Sequence, residues 1–411
     1  MNNEFDRSFK TQLMSGLHRV CSAKDTLSRV YPIKHKFGIT RVANVTGLDR
    51  VGLPVVMATR PNARSIAVSQ GKGLTLDQAK ASATMEAIEI WHAENIDKPV
   101  FFSSVADLSR NHRCVDFAAL PSTPGRVPEQ TERLHWVEAL ELISGQNVLV
   151  PLEMVHADYT HPVSSDAGCF PASTNGLASG NHILEAICHG ICEVIERDAL
   201  AVWHHLPPDR QRASRIAIET VDDVHADRAL QMFRKADLDC IVWDVTSDID
   251  IASFVCIVKE PGAERGHLGL GSGTHPDRAV ALRRALTEAA QTRLNYISGA
   301  REDLSIAEFD DEGRAQKSDA FADLLSECTH TRSFGDVTNR TNEDLESDLE
   351  WLKDRLQLAG IDQIAVVDLT RPEFDIPVVR VIVPGVEAPH DDESYIAGPR
   401  AQRAAMERPA E

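Results

Sequence analysis

The chain has 411 residues, 43% hydrophobic and 26% charged, with a formal net charge of -19. That is the balance of a globular protein with a sizeable core in one or two domains. The charge excludes a nonspecific nucleic-acid surface, although not a local basic groove.

Met1 to Thr11 is polar and carries no apolar signal core, and no stretch approaches the roughly 18 apolar residues of a membrane span. Eight cysteines are scattered without a CxxC pair, the pattern of reduced thiols in a cytoplasmic protein. Cys188 and Cys192, flanking His189, read as small core residues rather than metal ligands.

Residues 1–30 predict a helical lead-in. Short strand-like runs follow between 39 and 60, broken at Gly47, Gly52 and Pro54, with Val55 to Met57 the clearest. Ser65 to Ser69 predicts another strand and Gln70 to Gly73 a turn. The period then becomes helical from Leu76 to about Asn95, with Asp77 at the cap or in the first turn. Pro- and Ser-rich loops fill 99–130. Trp136 to Leu142 predicts a strand or short helix, Asn147 to Pro151 a strand, and Tyr159 to Gly180 mostly loop. A helix is expected from Leu184 to His204, and a surface helix within Arg212 to Lys235. Strands are expected at Cys240–Asp244 and Ser253–Val258, and a helix from Pro276 to Ile297. Residues 299–350 are acidic and polar, as in an insertion remote from the active site or a mobile segment. Then come a helix at Leu345–Ala359, strands at Gln363–Asp368 and Val378–Val383, and loop from Gly385. Residues 401–411 read as a flexible tail after a main domain of 31–400.

One pattern repeats. Gly73 is followed by Ala79, Glu86 and Glu89, and Gly180 by Ala186, Glu193 and Glu196, at offsets of 6, 13 and 16 in both cases. A third unit runs from Gly269 to Gly273, with Ala279, Arg284 and Glu288 after it. Each reads as a glycine loop feeding a helix, so the expected fold is α+β, built from repeated strand–loop–helix units around mixed or antiparallel sheets. No G-x-x-x-x-G-K-[ST] or Rossmann G-x-G-x-x-G motif is present.

Ser82, Glu86 and Glu89 share one face of the first helix; Glu185, His189, Glu193 and Glu196 share one face of the second. A solvated stripe is one reading. The other is a magnesium and triphosphate site, because hard carboxylate oxygens suit magnesium and the stripes are almost purely acidic. Arg284 and Glu288 form either an i,i+4 salt bridge or a phosphate and metal pair. Asn175 and Asn181 are either turn residues or amide donors to phosphate or base.

Four segments carry a family resemblance: ITRVANVTGLDRVGLPVV (39–56), SQGKGLTLDQAKASATMEAIEIWHAE (69–94), STNGLASGNHILEAICHGICEVIERDA (173–199) and GSGTHPDRAVALRRALTEAAQTR (271–293). In this order they resemble the YcaO superfamily over roughly residues 30 to 400. The resemblance implies a YcaO-like fold and an enzyme that uses ATP and Mg2+ to activate peptide-backbone amides. It makes Glu86, Glu193, Glu196 and Glu288 metal ligands. Ser82, Glu89, Asn181, Glu185, His189, Arg197 and Arg284 become nucleotide contacts, and Arg284, Glu288 and Arg197 the catalytic groups. Many members carry Gln where this chain has His189, whose charge would then follow pH.

Members of the family that form azolines commonly end in a proline-rich tail, whereas this chain ends AAMERPAE. PVVRVIVPGVE (377–387) and AGPR (397–400) resemble members found beside TfuA proteins. The resemblance therefore implies thioamide formation on a precursor peptide or protein, with a TfuA-type partner and a possible homodimer, and with neither nucleic acid nor membrane. An azoline-forming cyclodehydratase, an amidine-forming cyclase and a non-catalytic accessory protein in ribosomal-protein modification stay open.

Overall fold

The computed structural model of the protein describes residues 18–160, 168–262, 268–326, 331–391 and 394–407. A capping box between Ser22 and Asp25 starts α1 (Ala23–Val30); the rest of the expected lead-in, residues 1–17, lies outside the described residues. Strands β1 (Arg41–Asn44), β2 (Val55–Thr59) and β3 (Val68–Lys72) form an antiparallel sheet in that order. A second capping box, Thr75 with Gln78, opens α2 (Leu76–Glu94) and leaves Asp77 in its first turn.

Next come β4 (Phe101–Ser104), α3 (Val105–Leu108), β5 (Arg133–Glu141), β6 (Gln146–Pro151), β7 (Leu177–Ser179) and α4 (Ile183–His204). They are followed by α5 (Pro208–Ala213), β8 (Ile216–Ala217), α6 (Val224–Lys235), β9 (Asp239–Asp244), β10 (Ser253–Lys259) and β11 (Gly269–Thr274). Helix α7 (Arg278–Ser298) starts after the Asp277 cap, so Pro276 precedes the helix instead of entering its first turn. The chain continues through α8 (Asp311–Ala320), α9 (Ala322–Leu325), β12 (Arg332–Ser333), α10 (Leu345–Leu358), β13 (Ala365–Asp368), β14 (Val378–Ile382) and α11 (Pro399–Ala405).

The fold is α+β, as the repeats imply. β9, β10 and β11 form an antiparallel sheet. A larger one runs β4-β5-β13-β14-β7, with β6 also on β5, and β8 and β12 pair in parallel. The three repeat helices close a ring. α2 packs on β3 and reaches β7; α4 packs on β7 and reaches β11; α7 packs on β11 and reaches β3. Each helix thus lies on its own strand and on the strand of the next repeat.

The glycines explain the closeness. The sequence predicts a turn over residues 70–73, yet Gln70, Gly71 and Lys72 lie inside β3. A Cβ on Gly71 would stand 2.0 Å from the Ala83 nitrogen and 2.2 Å from the Ala79 oxygen of α2. A Cβ on Gly271 would stand 2.2 Å from the Ala285 oxygen of α7. These glycines are strand residues that let a helix backbone approach, a role that sequence alone does not separate from a turn. The small alanines answer them from the helix side. β4 and α3 within 99–130, and β7 within the expected 159–180 loop, are likewise hidden in polar or very short sequence.

Two further expectations change. Residues 299–350 hold α8, α9 and β12, and Arg301 at their start acts electrostatically on Glu86, so this segment is not remote from the acidic helices. Of the tail expected to be flexible from 401 to 411, the described part is helical through Ala405, with Ala401 and Ala404 buried, and residues 408–411 lie outside the described residues. Arg400 explains the docking. It makes hydrogen bonds of 2.7 and 3.0 Å to the two carboxylate oxygens of Asp198 on α4, and it pairs with Asp248. Cys188 and Cys192 are buried in the apolar cluster between α4 and α10, as expected.

Candidate active site

Ring closure sets the residue before each repeat glycine against the helix of the preceding repeat. Ser179, before Gly180, donates its backbone N–H (2.9 Å) and hydroxyl (2.6 Å) to Oε1 of Glu89 on α2. Ser272, before Gly273, donates its hydroxyl to Oε1 of Glu196 on α4 at 2.7 Å. Lys72, before Gly73, pairs with Glu288 on α7. The same hydroxyl of Ser272 stands 3.4 Å from Oε1 of Glu288, which links the second and third contacts.

The carboxylates are therefore gathered, and the solvated-stripe reading fails. Burial raises the pKa of Glu86, lifts Glu89 to about 8 despite its Ser179 bonds, and lifts Glu193 to about 7 despite Arg197. Glu89 also feels the charges of Glu86 and Glu193. Glu288 is the exception: burial pushes its pKa up, but Lys72 and Arg197 outweigh that and hold it down. Oε2 of Glu196 is buried with no hydrogen-bond partner among the described residues. Arg197 is desolvated, yet Glu196, Glu288 and Glu193 hold it firmly protonated; its Nη2 is 3.9 Å from Oε1 of Glu196.

Arg284 does not form the simple helix pair with Glu288. Its Nη1 meets Nε2 of His189 at 3.0 Å. The guanidinium can only donate, so Nε2 accepts and Nδ1 carries the proton; Nδ1 is buried with no partner among the described residues. Burial, then Arg284, drive the His189 pKa well below its ordinary value. The expectation of a pH-dependent charge is corrected: this imidazole is neutral.

Ser82 lies one turn before Glu86 on α2 and is half-buried. Glu185 is taken by the chain's own N-terminal segment: Arg19 Nη1 at 2.8 Å and the Val20 N–H at 3.1 Å. Asn181 sits beside it, with Nδ2 3.4 Å from Glu185 and Oδ1 accepting from Thr26 Oγ1 at 2.9 Å. Asn175 stands apart from this set, in a recess beside Arg380.

Several contributors were missed in the sequence: Lys72, Ser179, Ser272, Arg19 and Arg301. The first three carried a signal, their common place before the repeat glycine. Arg19 and Arg301 carried none.

The donor set fits a hard divalent cation. Carboxylates whose ionisation is disfavoured by burial, and a carboxylate oxygen with no partner among the described residues, are relieved by such an ion. Among the described residues no three acidic, His or Cys groups stand close enough to hold an ion by themselves. Glu288 is occupied by Lys72 and Glu196 by Ser272, so an ion here needs further oxygens from its ligand, as phosphate supplies.

Half-buried carboxylates and arginines on the three repeat helices, with Glu196 fully buried among them, define an anion-and-cation chamber on an α+β ring. The chain belongs to the YcaO family: the family description YcaO cyclodehydratase, ATP- and Mg2+-binding, matches residues 70–387. It is 33% identical over 392 residues to a protein in the tfuA 3' region of Rhizobium leguminosarum bv. trifolii, covering 93% of this chain and 92% of that one. It is 34% identical over 362 residues to a protein of Methanothermobacter thermautotrophicus, covering 85% and 90%. Its fold is that of YcaO from Methanopyrus kandleri bound with AMPPCP and Mg2+, with a TM-score of 0.73, 24% identity and coverage of 96% and 97%. It also matches a heterocyclase in complex with substrate and cofactor, with a TM-score of 0.76 and 22% identity over 92% of this chain; it spans 54% of that protein's length. Among the described residues no helix is long and apolar enough to cross a membrane.

Proposed function

We infer that the protein uses ATP and Mg2+ to phosphorylate a peptide-backbone amide, and that with a TfuA-type partner it converts the amide into a thioamide. The chamber of Glu86, Glu193, Glu196, Glu288, Arg197 and Arg284 carries the first half of this reading. The likeness to a protein encoded beside tfuA carries the second.

In this reading Glu86, Glu193, Glu196 and Glu288 would hold the ions. Bound magnesium supplies charge neutralisation on the triphosphate. Arg284 and Arg197 point fixed positive charge at the transferring phosphoryl group, and neutral His189 keeps Arg284 in place without adding charge. Ser82, Glu89, Asn181 and Glu185 line the nucleotide. Hydrosulfide adds to the amide carbon, the resulting oxyanion takes the γ-phosphoryl group of ATP and releases ADP, and the C–O bond breaks as phosphate leaves with that oxygen while the S–H proton is lost and the C=S bond forms.

The family description favours a second reading, cyclodehydration, in which a Cys, Ser or Thr side chain of the peptide replaces sulfide. Mass spectrometry separates them. The protein, its TfuA-type partner, ATP, Mg2+, sulfide and the precursor peptide encoded nearby should give a product about 16 Da heavier; ring formation makes it about 18 Da lighter. A product without ATP-dependent mass change refutes both.

A further inference from the structure

The three contacts that close the ring differ in charge. Ser179 and Ser272 hold Glu89 and Glu196 through neutral hydroxyls. At the same place in the first repeat, Lys72 on β3 sets an ammonium on Oε2 of Glu288. A hydroxyl suffices to hold a carboxylate, so lysine adds what serine lacks, a positive charge that cancels that of Glu288. Among the described residues no other chamber glutamate pairs with a lysine, and Arg197 stands 3.9 Å from Glu196.

The pair differs from the ion pairs that hold the fold. Arg60 with Glu94, Arg293 with Asp49 and Arg400 with Asp198 are arginine pairs whose side chains are at most 6% exposed. Lys72 and Glu288 are 22% and 23% exposed. An ammonium on a flexible four-carbon stem can leave its partner without moving the strand that carries it. Glu288 then keeps a second neighbour, since the Ser272 hydroxyl stands 3.4 Å from its Oε1. A divalent ion on Glu288 and an ammonium on the same carboxylate repel at close range, so each weakens the other's hold.

We propose that Lys72 is a built-in counter-ion of the metal site, covering Glu288 while the chamber holds no nucleotide and yielding it to the divalent ion that enters with nucleotide. The proposal rests on the reading of Glu288 as a metal ligand. Lys72 is then a positioning residue. It holds Glu288 in the chamber before the ion arrives, and it weakens the capture of free Mg2+ without its nucleotide.

The test uses the full chain without nucleotide or peptide, with Mn2+ alone as the probe and electron paramagnetic resonance to count the free ion. Lys72→Met should bind Mn2+ about tenfold more tightly than the wild-type chain, because a unit positive charge beside the ion is gone. In a Glu288→Gln background the same substitution should change the affinity by less than about twofold, since the carboxylate that Lys72 covers is absent. Thermal unfolding checks each variant, and Lys72→Gln replaces Lys72→Met if the latter does not fold. No gain in the chain that keeps Glu288, or a gain that survives Glu288→Gln, overturns the proposal. Because nucleotide and peptide are absent, its failure is separate from failure of the amide-activation reading, which the product assay reports.

Discussion

Ser272 donates its hydroxyl to Glu196 at 2.7 Å, joining the strand of the third repeat to the helix of the second. Ser179 with Glu89, and Lys72 with Glu288, repeat this relation around the ring. Ring closure therefore helps build the acidic chamber: Glu196, Glu89 and Glu288 are each held by a strand of another repeat.

Ser272→Ala removes the hydroxyl from a carboxylate whose other oxygen already lacks a partner among the described residues. The expected loss is about 1–3 kcal/mol of stability, read from urea unfolding. A change near zero would show that Glu196 does not depend on this contact.

The chamber makes stability depend on pH. Glu89 and Glu193 have pKa values raised to about 8 and about 7 from an ordinary value of 4.5. Between 4.5 and about 8 the folded chain thus binds more protons than the unfolded chain, so its stability falls as pH rises through that window and levels above it. Mg2+–ATP favours the ionised carboxylates. Its stabilising shift in melting temperature should be larger at about pH 8.5 than at about pH 5.5, as scanning fluorimetry would report. A shift independent of pH would count against carboxylate ligation.

Arg284→Lys retains charge but cannot both meet His189 and present a planar fork to a phosphoryl group. A loss of roughly 3 kcal/mol in transition-state stabilisation, about a hundredfold in kcat, is expected in ATP turnover with peptide present. Turnover within about twofold of wild type would leave Arg284 a purely structural role.

Arg400→Met leaves the buried Asp198 with only the Glu387 N–H on it, since Asp198 is 0% exposed and Arg400 is its bidentate partner. Breaking a buried pair from one side costs about 3–5 kcal/mol, to be read from denaturant unfolding. Asp198 adjoins Arg197, so ATP affinity should fall as well, and calorimetry of the folded variant measures that. A chain stopped after Arg400 keeps the pair but loses the buried Ala401 and Ala404, and its stability should lie between those of Arg400→Met and the full chain.

Sequence alone determined the α+β class, the three helices and the chemical character of their acidic faces. Helical period and repeat spacing are local properties, and a nearly lysine-free acidic stripe is visible without coordinates. The tertiary structure decided which groups meet. Gly71 and Gly271 became strand residues because α2 and α7 lie against them. Glu185 went to Arg19, Arg284 to His189, and the tail to Asp198. His189 lost its expected titration because burial beside an arginine disfavours a second positive charge. Such partnerships join residues tens to hundreds of positions apart, and they are selected by packing and desolvation, which no local pattern records.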